Sequence, residues 1–291
     1  MTRRLPYVVW LATGAVWGTT WIVIRVGLVD LPPFLFAGVR TALAGIVLLL
    51  VAQLADGHRR PPAGEAGFWL LVGVPQLGVP YALIFWAERS INAGLTALLF
   101  ATFPVFTALL AHYLLRGERL TPGRLGGTAL AVSAVALLVG PVGSSSPPAG
   151  PVAAVLLASL SGALGAVLVR RHGRTTSTVW LTALQVTAGA VVLLALALAF
   201  ERNLPVRMSL RAGASILYLA LVVTVGCYLG LFWLLKHLSA TFVSMGVVFE
   251  TAVAVTLGAL LLGEPVGSRM AVGLVLVALS IVLVNRSPSV G

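Results

Sequence analysis

Charged residues are spaced along this chain so that long stretches carry none: 5–24, 66–87, 90–115, 125–169, 175–200 and 212–235. Each is at least as long as the ~20 apolar residues that take an α-helix across a bilayer. The fourth stretch is interrupted by "PVGSSSPPAGP" at 141–151. Its prolines and glycines cannot continue a helix, so that stretch holds two spans. The pattern predicts an all-α membrane protein with ten transmembrane helices, at 6–25, 33–54, 67–87, 92–114, 122–140, 151–169, 177–199, 212–234, 240–262 and 267–285. The connections leave no room for a soluble domain. The first apolar run follows Arg3 and Arg4 and leads into nine more spans, so it reads as a retained helix, not a cleaved signal peptide.

The pattern also repeats. "YALIFWAER" at 81–89 is answered by "YLGLFWLLK" at 228–236, a shift of 147 residues. "LLRGERL" at 114–120 is answered by "LLLGEPV" at 260–266, which sets Glu118 against Glu264. More weakly, "AVWGTTWIVIR" at 15–25 is answered by "LSGALGAVLVR" at 160–170. Ten spans and a half-length repeat predict two five-helix units, residues 1–145 and 146–291. An odd number of crossings makes the second unit enter the membrane inverted, an architecture of secondary transporters with the site near the midplane.

Composition adds orientation. Only 9% of residues are charged, against roughly 25% in soluble domains. The net charge of +11 suggests nucleic acid until its placement is read. With both termini cytoplasmic, 12 of the 19 basic residues fall at inner ends or loops. That is the positive-inside rule, although the loop 200–211 runs against it. No nucleic-acid partner follows; the partners are the lipid bilayer and a small molecule. The one cysteine, Cys227, lies within span eight and excludes an intrachain disulfide. No Cys/His metal cluster and no cofactor motif is present in the sequence.

These residues carry a family resemblance. "VWG" at 16–18, "FAGVRTALAGIVLLL" at 36–50, "FPVFTALLAHYLLRGERLTPGRLGGTAL" at 103–130 and "FETAVAVTLGALLLGEPVGSRMAVGLVL" at 249–276 resemble the drug/metabolite transporter superfamily, in its ten-helix EamA-type branch. The aromatic-rich sequence is most similar to bacterial inner-membrane exporters of aromatic amino acids and paraquat. The resemblance implies a plasma-membrane, multi-pass transporter. It also implies a family-typical arginine at Arg40, and proline or glutamate at position 250, where this chain has Glu250.

Candidate site residues follow from depth and side-chain type. Gly14, Trp17, Gly18, Trp21 and Arg25 share one face of helix one. Trp17 lies too deep for an interfacial belt; a stacking wall beside a cavity and simple packing both account for it. Trp86, Trp233, Arg89 and Lys236 sit where interfacial anchors sit, whereas Tyr81, Phe85, Tyr228 and Phe232 lie deeper and are candidates to line a cavity. Phe100, Phe249 and Gln76 extend that list. Pro75 and Pro80 are expected to disturb helix three, and Pro104 to bend helix four. Small residues such as Gly94, Ala97, Gly246 and Gly258 predict that helices four and nine meet closely and form the inner closure when the site opens outward.

Glu250 is the one acidic residue well inside a span. A carboxylate at that depth faces the protein interior or a water-filled cavity. Proton coupling, contact with a substrate cation and a structural hydrogen-bond role stand as three readings. Arg40 has two: snorkelling towards the outer interface, or meeting a substrate carboxylate. Glu118 and Glu264 are read as organising their turns through caps and neighbouring charges.

The function expected is a secondary transporter that exports small metabolites by alternating access, chiefly aromatic and apolar amino acids. The alternative is a multidrug or cation exporter, and protons are a candidate coupling ion. An intramembrane enzyme would need paired carboxylates, a nucleophile with its base, or metal ligands within the spans, none of which the pattern offers. A passive channel remains the other non-enzymatic reading. The sequence fits a monomer and specifies no oligomeric state.

Overall fold

The computed structural model describes residues 4–56, 59–115, 118, 121–139, 147–172, 176–238, 242–243 and 245–286. Of the basic residues used for orientation, Arg3, Arg116, Arg119 and Arg174 lie outside them, as does most of the 141–151 linker. Among the described residues ten long helices follow one another. They are α1 (Leu5–Gly27), α2 (Pro33–Asp56), α3 (Ala63–Ala87), α4 (Ala93–Leu114), α5 (Pro122–Val139), α6 (Ala149–His172), α7 (Thr178–Phe200), α8 (Leu210–Leu235), α9 (Gly246–Leu262) and α10 (Ser268–Arg286). The first eight are long and apolar enough to cross a membrane, and α9 and α10 are shorter apolar helices. No strand occurs among the described residues. In span nine, 240, 241 and 244 lie outside the described residues. Leu54, Leu198, Phe200 and Leu260 point outward from the bundle, as lipid-facing side chains do.

Two helices change register midway. α3 widens into a π-helical turn over Val74–Gly78, and α8 over Tyr218–Gly226. In α3 the cause is proline. Pro80 has no N–H to give the carbonyl five residues back, and the Ser161 hydroxyl of α6 serves Pro75 O instead, at 2.9 Å. Similarly, α4 breaks at Ala101–Thr102, just before Phe103 and Pro104. Pro104 leaves Phe100 O without its helical donor, and the Ser159 hydroxyl of α6 takes that place at 3.2 Å. α6 thus repairs both proline faults, from two different faces, because Ser159 and Ser161 stand two residues apart. The Ser161 face admits α3 closely: a Cβ on Gly165, one turn on, would fall 2.4 Å from Gln76 Oε1. In α8 no proline is present, and the Thr224 hydroxyl donates to Leu219 O at 2.8 Å across the widened turn.

α2 packs along α7, and α5 along α10. α1 packs on α9 and α8, as α6 packs on α4 and α3. α3 meets α7 as α8 meets α2. Adding five to each helix number therefore turns these pairs into one another.

The bundle has two ends. At the far end the turn after α1 meets the start of α8: Asp30 accepts from Arg211 Nε and Nη2 at 3.0 and 2.9 Å and from Ser209 Oγ at 2.5 Å. These donors, the Arg211 guanidinium foremost, hold the Asp30 carboxyl below its ordinary range. Glu201 accepts from the amides of Phe34 and Leu35 at 2.9 and 2.7 Å, closing the start of α2. Trp86 and Arg89 share a surface recess with Glu201 at this end. At the near end Asp56, Arg60, Glu65, Ser177 and Lys236 gather around a polar recess.

Candidate functional site

Between the two packed sets lies a cavity of about 450 Å³, within the range of small-molecule sites. α1 contributes Trp17, Thr20, Trp21 and Ile24. α3 contributes Gln76, Leu77, Pro80, Tyr81, Ile84 and Phe85 from its widened turn onward. Phe100 and Phe103 flank the α4 break, and Gly162 of α6 leaves space behind them. Val223, Thr224, Tyr228, Leu231 and Leu235 come from α8. Val243, Gly246, Val247 and Glu250 complete the wall, and α2 adds Arg40. The register shifts matter here, because a π turn re-aims the residues that follow it.

The wall is built of rings in contact. Trp17 meets Tyr228 edge-on at 6.3 Å, Trp21 tilts against Phe100 at 5.6 Å, and Phe100 stacks on Phe103 at 5.8 Å. Phe85 meets Phe36 edge-on at 5.2 Å behind the wall. Of the side chains singled out from sequence, Trp17, Trp21, Gln76, Pro80, Tyr81, Phe85, Phe100, Tyr228 and Glu250 line this cavity.

The others stand elsewhere. Gly18 lies against α9, where a Cβ would fall 2.6 Å from Val253 Cβ; it lets two helices approach. Phe249 stacks on Trp10 at 5.8 Å and fills the space above Gly14. Phe232 lines the near-end recess. Pro75 sits in the α3 π turn and Pro104 just after the α4 break. Thr20, Phe103, Gly162 and Thr224 line the cavity without having been singled out. Thr224 and Thr20 are polar positions inside apolar runs, and that was their available signal.

Arg40 departs from the snorkelling expectation. It is 1% exposed, turned into the bundle. Its guanidinium carbon lies 4.2 Å from the Tyr81 ring centre and 5.1 Å from that of Phe85. Nη1 donates to Thr224 Oγ1 at 3.3 Å, and Nε is buried without a hydrogen-bond partner. No ion pair to Arg40 is found among the described residues.

Leu235 lines both the central cavity and the near-end recess. That recess is polar: Asp56 accepts from Ser177 and pairs with Arg59 at 3.6 Å, beside Arg60, Glu65 and Lys236. Glu118, at the same end, is held by Arg124 at 2.7 Å and Arg170 at 2.5 Å. Burial pushes its carboxyl up, but these hydrogen bonds prevail and hold it below the ordinary range.

The far end is shut. The first segment of α4 packs on α9 there, and a Cβ on Gly94 would fall 3.4 Å from Val255 Cα. Ile84, Phe85, Ile24 and Phe36 are buried beneath. Arg25 Nη1 donates to the backbone carbonyl of Glu88. The Glu88 carboxylate is fully buried, with neither oxygen hydrogen-bonded. Burial, and then the charge of Glu264, raise it well above the ordinary carboxylate range, against the pull of Arg25.

Comparison with known proteins agrees with this architecture. The model of the EamA-like transporter family matches twice, over residues 5–140 and 150–286. An uncharacterized inner membrane transporter of Escherichia coli K12, YedA, is 29% identical over 276 residues, covering 93% of this chain and 87% of that protein. Protein PecM of Dickeya dadantii is 30% identical over 272 residues, covering 93% and 89%. A solved crystal structure superposes with a TM-score of 0.68 at 17% identity, covering 97% of this chain and 98% of the other, a likeness of fold.

Proposed function

On the premise that this chain belongs to the EamA-like transporter family, we propose that it is a secondary exporter of aromatic and apolar amino acids and related small metabolites. The observation that carries the reading is the central cavity: Trp17, Trp21, Tyr81, Phe85, Phe100 and Tyr228 form a wall of rings around a space of ligand size. Rings bury large apolar area and stack on flat solutes. Such a wall suits several aromatic side chains rather than one.

The two five-helix units, 1–145 and 146–291, act as inverted repeats around this site. Support comes from the helix pairs that interchange on adding five, from the double family match, and from Arg89 and Lys236 lying at opposite ends. With the near end cytoplasmic, the polar recess is the entrance for solute from the cell. The shut far end is then the gate that opens for release. The residence is the bacterial inner membrane, as the name of the E. coli relative states for that protein. Energy comes from solute or ion gradients, with Glu250 a candidate proton carrier on the wall.

A second reading, export of organic cations, draws on the presence of Glu250 and several aromatic rings in one cavity. Uptake into proteoliposomes, competed by aromatic amino acids and by methyl viologen, decides between them. Trp17→Ala and Tyr81→Ala are expected to reduce aromatic amino acid uptake at least tenfold at unchanged expression. Competition by methyl viologen alone would favour the cation reading.

A further inference from the structure

We infer that Arg40 is the anion subsite of the central cavity and selects solutes that carry a carboxylate; the inference rests on the reading of this cavity as the solute site. A guanidinium stays charged at any physiological pH, and at membrane depth it needs compensation. Among the described residues Arg40 has no ion pair. It makes, among those residues, a hydrogen bond to Thr224 at 3.3 Å and lies over the rings of Tyr81 and Phe85. The rings lie over the guanidinium, and Thr224 takes one of its edge donors, Nη1. Nε on that edge is buried without a partner.

The side chain cannot reach water at the membrane surface, because it is 1% exposed. It is one of the residues that line the cavity, so its guanidinium lies within the wall around the space a solute would fill. A carboxylate answers this arrangement. It accepts from Nε and a neighbouring Nη together, as planar bidentate pairs do, and cancels one positive charge with one negative charge. A doubly charged phosphate group would leave excess charge in an apolar chamber that already holds Glu250. Tyr81 and Thr224 act as positioning residues: one stacks on the guanidinium, the other holds Nη1. Thr224 sits in the π-helical stretch of α8, so the register shift in that helix serves the placement of a residue on α2.

The test is equilibrium binding to the full chain in nanodiscs, by calorimetry, with empty nanodiscs as control. The probes are 3-phenylpropionate, which carries only the carboxylate, phenethylamine, which carries only the amine, and L-phenylalanine. Wild type is expected to bind phenylpropionate at least tenfold tighter than phenethylamine. Arg40→Gln should bring the ratio within twofold, Arg40→Lys should keep part of it, and Thr224→Val should lower it severalfold. The wild-type ratio needs no variant, so a misfolded Arg40→Gln does not shelter the claim. Equal binding of acid and amine by wild type, or a ratio unmoved by a folded Arg40→Gln, overturns the subsite while leaving an aromatic-solute cavity standing. Failure of wild type to bind any of the three overturns the aromatic reading as well.

Discussion

The Glu264 carboxylate, in the turn after α9, accepts from the backbone amides of Ala93 at 2.7 Å and Gly94 at 3.0 Å, at the start of α4. A residue from the second half of the chain thus caps a helix of the first. Asn92 occupies the cap position but makes no side-chain cap bond. Two amides facing one carboxylate at a helix N-terminus combine capping with a favourable dipole. The site has no slack: a Cβ on Gly258 would fall 2.6 Å from Glu264 Oε2. Gly263, with φ of 64°, makes the turn that delivers the carboxylate.

Removing this cap weakens the far-end closure. Glu264→Ala is expected to lower stability by about 2 kcal/mol, the scale of hydrogen bonds to a charged group. Gly258→Ala should act in the same direction, by displacing the carboxylate. Thermal unfolding in detergent measures both; an unchanged midpoint for Glu264→Ala would contradict the capping role.

Glu88 gives the far end a pH dependence of definite sign. Its folded carboxyl keeps its proton above the ordinary value of 4.5, because it is buried and faces Glu264. The folded state therefore binds more protons than the unfolded state above that pH, and stability falls as pH rises. Glu88→Gln should flatten the decline of the unfolding midpoint as pH rises above the ordinary carboxyl value of 4.5. An identical slope for both proteins would remove Glu88 as its source.

Glu118 acts with the opposite sign at the near end. Its carboxyl is held below the ordinary value of 4.5 by Arg124 and Arg170, so its contribution is present above that pH and is lost as pH falls. Arg170 is largely exposed, so solvent screening keeps its share small. Glu118→Gln should show less acid destabilisation than wild type. Equal loss in both, measured by midpoint against pH below 5, would refute the pairing.

Much of this was legible in the sequence, for physical reasons that also set the limits. Lipid leaves backbone groups no partner outside the helix, so apolar runs must become helices, and each of the ten spans falls on one. Pro80 and Pro104 announced faults, and the structure places a widened turn and a break beside them. The π stretch in α8 had no proline to mark it. Helix rotation was the harder quantity. A helix apolar on nearly all sides has no face that hydropathy can orient. Phe249 and Phe232 were placed at the right depth for a wall, yet Phe249 packs on Trp10 and Phe232 turns to the near-end recess. Arg40 was read at its depth without its direction, and direction separates a snorkelling arginine from one facing a cavity.

The inverted threading predicts labelling from opposite faces. Arg89 and Lys236 are exposed equivalents in the two halves, and Cys227 is buried. In a Cys227→Ser background, Arg89→Cys should react with an impermeant maleimide from outside intact cells. Lys236→Cys should react only after the membrane is opened. Labelling of both from one side would refute the inverted arrangement.

Alternating access by a carrier is tested most directly by counterflow. Proteoliposomes holding the purified chain are preloaded with unlabelled phenylalanine and diluted into a trace of labelled phenylalanine. A carrier that returns loaded accumulates label transiently above its equilibrium level, and Trp17→Ala should abolish most of that overshoot. Entry of label at the same rate and to the same level with or without preloading would contradict the account.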